Sequence, residues 1–255
     1  MLISKGVEII DGLPILYLKK ISAIACTDLH LGYEGVMADK GTFAPKANLN
    51  GIKSILKEAV ERTSANAVIV DGDIKNEFSK VHFEEFNEFR DFIIYLKKDL
   101  GIDRVVLIKG NHDNFIDRLK EPLGVELFSQ EALISEFLFF HGEKLPASKE
   151  GRMLIMGHLH PAISFHNSLG VREKLKCFLH GKLKDGREII VMPSMNYYAE
   201  GMSVNIEDVS EASPIFGKML NINNMEALCL GEDETLNFGK ISELRALWNS
   251  SSNSR

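Results

Sequence analysis

The sequence predicts an α/β fold built round a largely parallel β-sheet. Two observations predict it. Short apolar runs alternate with amphipathic helical stretches through the first two-thirds of the chain, and side chains able to bind a metal stand just beyond the end of each apolar run. At 255 residues, 45% hydrophobic and 26% charged, the chain is long enough to bury such a core without disulfides.

The N-terminal stretch "MLISKGVEIIDGLPILYLKK" contains acidic residues and an Asp-Gly-Leu-Pro turn, so it reads as a pair of strands and not as a secretory leader. No apolar run approaches the length that spans a bilayer, so the expectation is a cytoplasmic protein with no membrane partner. Five buried strands are predicted: "ISAIAC" (21–26), "NAVIV" (66–70), "RVVLI" (104–108), "ISEFLFF" (134–140) and "RMLIM" (152–156). Helices are predicted between the first three. From Lys46 to Arg62, residues Ile52, Ile55, Leu56 and Val60 share a face, and from Val81 to Lys98, Phe86, Phe89, Ile93 and Leu96 do so. Strand–helix–strand order implies right-handed crossovers and parallel pairing.

Beyond His160 the pattern changes. "CFLHGKLKDGREIIVMP" reads as a hairpin, with strands near 175–180 and 187–192 around a Lys-Asp-Gly turn. Short β pieces continue to about Leu220, Ile241 to Trp248 reads as a last helix, and "NSSSNSR" as a frayed tail. No repeat or linker interrupts the chain. The expectation is one domain over residues 1–250, with a disordered tail at 251–255.

The net charge of −6 argues against a basic coat that grips nucleic acid nonspecifically, but leaves room for a local basic groove. Cys26, Cys177 and Cys229 are widely spaced in apolar surroundings and read as buried hydrophobes in a reducing interior.

The residues that follow each strand carry the chemistry. "TDLH" supplies Asp28 and His30, "DGD" ends at Asp73, "KGNHD" holds Asn111 and His112, "HG" supplies His141, and "GHLH" supplies His158 and His160. In open α/β sheets the carboxyl ends of the strands line the rim where ligands bind. Each motif alone is common, but five of the eight histidines fall in these blocks. His82, His166 and His180 have no such context and read as structural or surface residues. In extended backbone, side chains two apart share a side, so Asp28 with His30, and His158 with His160, are expected to present pairs of donors. Imidazole and carboxylate without thiolate suit Mn²⁺, Fe or Zn²⁺. With His112 set aside, seven donors are too many for one tetrahedral ion and fit two ions with a bridging carboxylate. Asp73 is the expected bridge, since Gly72 lets backbone and metal come close.

These blocks resemble the signature of the calcineurin-like metallophosphoesterase superfamily: D-x-H, GD, GNH, H and GHxH, all present in order from Asp28 to His160. "DLHLGYE" (28–34), "GHLHPAIS" (157–164) and "VMPSMNYYAEG" (191–201) are similar to small archaeal and bacterial phosphoesterases related to the SbcD-type repair nucleases, among them the ligase-associated DNA-damage-response phosphodiesterases. The similarity runs over about residues 5 to 205. It implies a four-layer α-β-β-α metallophosphoesterase sandwich, two mixed β-sheets face to face with helices outside, the hairpins at either end of the pattern supplying the second sheet. It also implies one metal held by Asp28, His30, Asp73 and His160, and a second by Asp73, Asn111, His141 and His158. Only seventeen positions separate His141 from His158, so the long insertions of the large nucleases are missing.

The implied function is metal-dependent hydrolysis of phosphodiester bonds in nucleic acid or nucleotides. A hydroxide activated by two divalent ions would attack, and His112 would protonate the leaving group with Asp113 orienting it. Mn²⁺ is the expected ion, with Zn²⁺, Fe and Ni²⁺ as alternatives. Single-stranded DNA or RNA is the expected substrate, and a homodimer and DNA-repair protein partners the expected company. A phosphomonoesterase or cyclic-nucleotide phosphodiesterase is the alternative; a non-catalytic scaffold on the same fold is the weaker one. A nuclease also needs a basic or aromatic track beside its metals, for which Lys144, Lys149, Arg152, Lys174, Lys176, Tyr197 and Tyr198 are the candidates.

Overall fold

A computed structural model of the chain describes residues 1–78, 83–114, 116–119, 123–167 and 169–252. Among these residues two sheets form. The first has seven strands in chain order: β1 (Leu2–Ser4), β2 (Val7–Ile9), β3 (Leu16–Leu18), β4 (Ala23–Cys26), β5 (Ala67–Asp71), β6 (Arg104–Ile108) and β7 (Glu126–Phe128). Strands β1 to β4 form an antiparallel meander, and β4 to β7 run parallel. Helices α1 (Tyr33–Asp39) and α2 (Asn48–Thr63) lie between β4 and β5, and α3 (Phe83–Ile94) lies between β5 and β6.

The second sheet contains β8 (Glu131–Ile134), β9 (Phe137–Phe140), β10 (Met153–Met156), β11 (Pro161–His166), β12 (Arg172–Lys182), β13 (Glu188–Val191), β14 (Met202–Ser203), β15 (Glu226–Leu230) and β16 (Thr235–Lys240). Its order is β14-β11-β12-β13-β10-β9-β8, with β15 joining β12 to β16. Helix α4 (Ile241–Ser252) closes the described chain.

Alternation along the strands makes the layers. In β4, Ile24 and Cys26 face α2 and α3, while Ala23 and Ala25 face the second sheet. In β9, Phe137 and Phe139 meet those alanines' layer, while Leu138 and Phe140 point to the opposite side. Ala23 and Ala25 of the first sheet thus leave room in this layer for Phe137 and Phe139 of the second. Outside the second sheet, Ile241 of α4 and Ile215, Phe216 and Ile222 complete a third apolar cluster. The result is helix, sheet, sheet, helix. Emptying one site of the middle layer, Phe139→Ala for instance, is expected to cost about 3–5 kcal/mol.

Several expectations need correction. The N-terminal strands extend the first sheet and not the second, because β3 pairs antiparallel with β4. The run 134–140 is not one strand: a turn at Ser135, where φ is +57°, folds β8 back on β9. Residues 249–252 are helical and not frayed, since α4 reaches Ser252, and the remainder of the expected tail lies outside the described residues. The start expected for α3 at Val81, and His82, also lie outside them. Among the described residues no helix is long and apolar enough to cross a membrane.

Candidate metal centre

The five motif strands are divided between the sheets, β4, β5 and β6 in the first and β9 and β10 in the second. Their carboxyl ends meet where the sheets abut, so the rim that holds the donors is double.

Two triads converge there. Asp28, His30 and His160 offer ligand atoms all within 4.8 Å of one another, and Asp73, His141 and His158 do the same. Asp28 Oδ1 lies 3.1 Å from His160 Nε2 and 3.7 Å from His141 Nε2, so it faces both triads. Asp73 Oδ2 lies 3.1 Å from His141 Nε2 and 3.9 Å from His112 Nε2. His30 Nε2 and His160 Nε2 approach to 3.4 Å.

The donors are not presented by extended backbone. Asp28, His30, Asp73, His158 and His160 all have left-handed φ, between +46° and +65°. That conformation costs an L-residue roughly 1–2 kcal/mol. Its concentration at ligands marks a site where surrounding structure enforces geometry. The paired side chains therefore share a side because two tight left-handed turns aim them, and not because of strand pleat.

Hydrogen bonds from the chain supply that enforcement. The backbone carbonyl of Asp28 accepts from Ser194 Oγ (2.8 Å) and from the Asn196 amide (3.2 Å). Asn48 Nδ2 donates to the carbonyls of Leu29 (2.9 Å) and His30 (3.2 Å). The Thr27 hydroxyl sits 2.8 Å from Asp28 Oδ2 and 2.6 Å from the Asp71 carbonyl. A Cβ at Gly72 would collide with the His141 ring, so this glycine admits an imidazole and not the metal itself. A Cβ at Gly157 would strike Thr27 and Asp28, which places "GHLH" directly on the Asp28 side chain. The His158 amide donates to Asp28 Oδ2 (3.0 Å) and the His112 amide to Asp73 Oδ1 (2.9 Å).

The second nitrogen of several rings is also fixed. His141 Nδ1 donates to the Asp71 carbonyl at 3.0 Å, leaving Nε2 toward the carboxylates. His158 Nε2 donates to the Ala212 carbonyl at 3.0 Å, leaving Nδ1 for a ligand. Such outer bonds set tautomer and ring orientation at metal sites.

Burial alone would raise the carboxyls of Asp28 and Asp73. The imidazoles of His160 and His141 outweigh it and hold both below the usual carboxylate range. Burial pulls His30 down to about 4, against the field of Asp28, so the ring is neutral near pH 7. Burial also disfavours charge on His141, but Asp73 and Asp28 overcome it and push that ring well up. The pocket thus draws a positive charge into a fully buried place. Asp28 Oδ1, His141 Nε2, Asn111 Oδ1 and His30 Nδ1 are buried without a hydrogen-bond partner. Orphaned acceptors of this kind around a cation-seeking centre fit divalent metals. Asp28, His30 and His160 would hold one ion and Asp73, His141 and His158 the other, with the Asn111 oxygen a further donor.

One expected contact is absent. Asp113 does not orient His112: its Oδ1 accepts from the amides of Ile74 and Lys75 and its Oδ2 from that of Gly110. It ties the Asp73 loop to the Asn111 loop. Burial, with the charge of Asp73 adding, pushes its carboxyl up to about 7. The His112 ring is held instead by the Asn76 carbonyl, which faces its Nδ1. Backbone carbonyls at Asn76, Asp71 and Ala212 leave no mark in a sequence. Asn48, Ser194 and Asn196 could have been suspected only from sitting among buried neighbours. His166 stacks on Trp248 at 4.6 Å, and His180 sits in β12; neither joins the centre.

A family model described as calcineurin-like phosphoesterase matches residues 21–208. No curated protein matches the chain. Among solved structures, a nuclease MPE from Pseudomonas putida is 17% identical, with 89% of this chain and 93% of that chain covered and a TM-score of 0.59. Yfce, a phosphoesterase from E. coli, is 15% identical over 86% of this chain and 98% of that one, with a TM-score of 0.41. The first of these likenesses shows a shared fold.

Proposed function

The chain belongs to the calcineurin-like phosphoesterase family and is a metal-dependent phosphoester hydrolase, and we propose that the ester it cleaves is a phosphodiester of nucleic acid or nucleotides. The observation that carries this reading is the place of His112. It stands at the edge of the two triads with 29% of its side chain exposed, and its Nε2 lies 3.9 Å from the Asp73 carboxylate.

When bound, a pair of divalent ions supplies Lewis acidity, bringing the pKa of a water toward neutrality and offsetting phosphoryl charge. The chain does the rest. Asp28 and Asp73 would supply the negative charge that holds the cations, and His141 and His158, their rings fixed by outer hydrogen bonds, would be further ligands. His112 holds a proton at Nε2 while its Nδ1–H stays on the Asn76 carbonyl, so the ring cannot turn away. That proton goes to the leaving alkoxide, a step a diester of a poor leaving group needs. Under the same reading Mn²⁺ fills the centre and the substrate is single-stranded DNA or RNA in a repair setting.

The test is a panel of bis-p-nitrophenyl phosphate, p-nitrophenyl phosphate and single-stranded DNA and RNA oligonucleotides, each with Mn²⁺, Ni²⁺, Zn²⁺ and Mg²⁺. Diester turnover well above monoester turnover is expected. The reverse order would replace this reading with a phosphomonoesterase.

A further inference from the structure

A cavity of about 630 Å³ opens along β12, lined by Arg172, Lys174 and Lys176 of that strand, by Tyr197, and by Glu173 and Glu200. Three cations face two carboxylates there, on a chain whose net charge is −6. Four of the lining groups differ in how their charge or ring is satisfied. Arg172 donates to the hydroxyls of Ser164 and Ser203. Lys174 donates to the Gly201 carbonyl (3.0 Å) and meets Glu200 at 3.7 Å, a carboxylate 81% exposed and therefore a weak partner. Lys176 is mostly withdrawn from water, and its ammonium donates only to the carbonyls of Ser194 (2.9 Å) and Asn196 (2.6 Å). No carboxylate among the described residues pairs with it. Tyr197, in a turn, is 67% exposed.

A buried cation without a counter-ion is costly, and proteins keep one where an anion arrives. Burial pulls Lys176 down to about 8, and the carboxylate whose field reaches it is that of Asp28 in the metal centre. The cavity is tied to that centre by hydrogen bonds. The segment of Ser194 and Asn196 that accepts from Lys176 is the one whose hydroxyl and amide grip the Asp28 carbonyl. One short segment thus joins Lys176 to the backbone of Asp28. An exposed aromatic face beside cations is how single strands are held without reading sequence, with base on ring and phosphate on ammonium. The volume falls in the range of small-ligand sites, enough for a nucleotide unit.

We propose that this cavity binds the nucleotide next to the scissile phosphate, Lys174 and Lys176 taking its phosphate and Tyr197 its base. The inference rests on the phosphodiesterase reading and narrows its substrate class to single-stranded polynucleotide. A small aryl diester carries no neighbouring phosphate for Lys174 and Lys176 to take, which makes the two substrates a pair of probes.

The experiment measures kcat/KM on a single-stranded oligonucleotide and on bis-p-nitrophenyl phosphate, with Mn²⁺, for the wild type, Tyr197→Ala, Lys174→Ala and Lys176→Met. The ratio of oligonucleotide to aryl diester is expected to fall about tenfold in Tyr197→Ala and in Lys176→Met, and less in Lys174→Ala, through KM for the oligonucleotide. Tyr197 is exposed, so its variant guards against loss of folding. An unchanged ratio in Tyr197→Ala and Lys176→Met overturns the subsite. So does a wild type that turns over the aryl diester and no oligonucleotide, although phosphodiesterase activity then stands. A wild type active only on monoesters overturns both readings.

Discussion

The metal centre and the cavity along β12 handle buried charge in opposite ways. In the centre, Asp28 and Asp73 are each met by imidazoles at 3.1 Å, and outer bonds from Thr27, Asn48, Ser194 and Asn196 fix the backbone that carries the donors. Five of the candidate donors sit in left-handed backbone, so rigidity is bought with strain. In the cavity, Lys176 has two carbonyls and, among the described residues, no counter-ion, and Tyr197 is left in water. The difference teaches that the donors are preorganised from every direction, whereas the groups of the cavity are each left open on one side, as the proposed subsite requires.

The largest effect that can break this comparison is at the centre. Asp73→Ala is expected to lower turnover on any phosphate ester by on the order of 10³-fold or more, because a cation-holding charge is lost. Turnover within tenfold of wild type would mean that Asp73 is not a ligand. His112→Ala should retain metal and cost about 10²–10⁴-fold on diesters with alkyl leaving groups, and much less on aryl diesters. Equal losses on both would point away from leaving-group protonation. Thr27→Val tests the outer ring of bonds: metal affinity, read by titration calorimetry, should weaken about 10–100-fold.

The smallest effect on chemistry and the sharpest contrast come from Lys176→Met. Removing a buried, uncompensated cation is expected to stabilise the fold near pH 7 by about 1–3 kcal/mol in urea melts. Burial depresses the folded-state pKa of Lys176 to about 8 from 10.5. The unfolded chain therefore keeps that proton, between pH 8 and 10.5, after the folded chain has released it. Wild-type stability should gain on the variant across that window, closing the gap near pH 10.5. A variant less stable than wild type at pH 7 would show that Lys176 supports the fold.

The two regions also differ in how far the sequence disclosed them. Every residue of both triads was legible, because each stands beyond a recognisable apolar strand and two-metal chemistry admits few residue types. The pairing Asp28 with His160, and Asp73 with His141 and His158, followed from the family's pattern. What escaped was how the donors are aimed: left-handed turns leave no signature at Asp or His. The carbonyl of Asn76 that holds His112 was equally invisible, so Asp113 was assigned a contact that belongs to the backbone. The strands' assignment to two sheets depended on long-range pairing, which local patterns do not encode. The N-terminal meander shows this, since β3 pairs with β4 and not with the second sheet. For the cavity, Lys174, Lys176 and Tyr197 were candidates among seven, and only the fold separated them from Arg152, which is engaged with Glu136.

The most direct test of a centre built from two triads is the number of ions each chain binds. Mn²⁺ titrated into metal-free protein, with bound metal counted after dialysis, should give two ions per chain in the wild type and one in each of His158→Ala and His160→Ala. One ion or none in the wild type, or both variants still holding two, would contradict it.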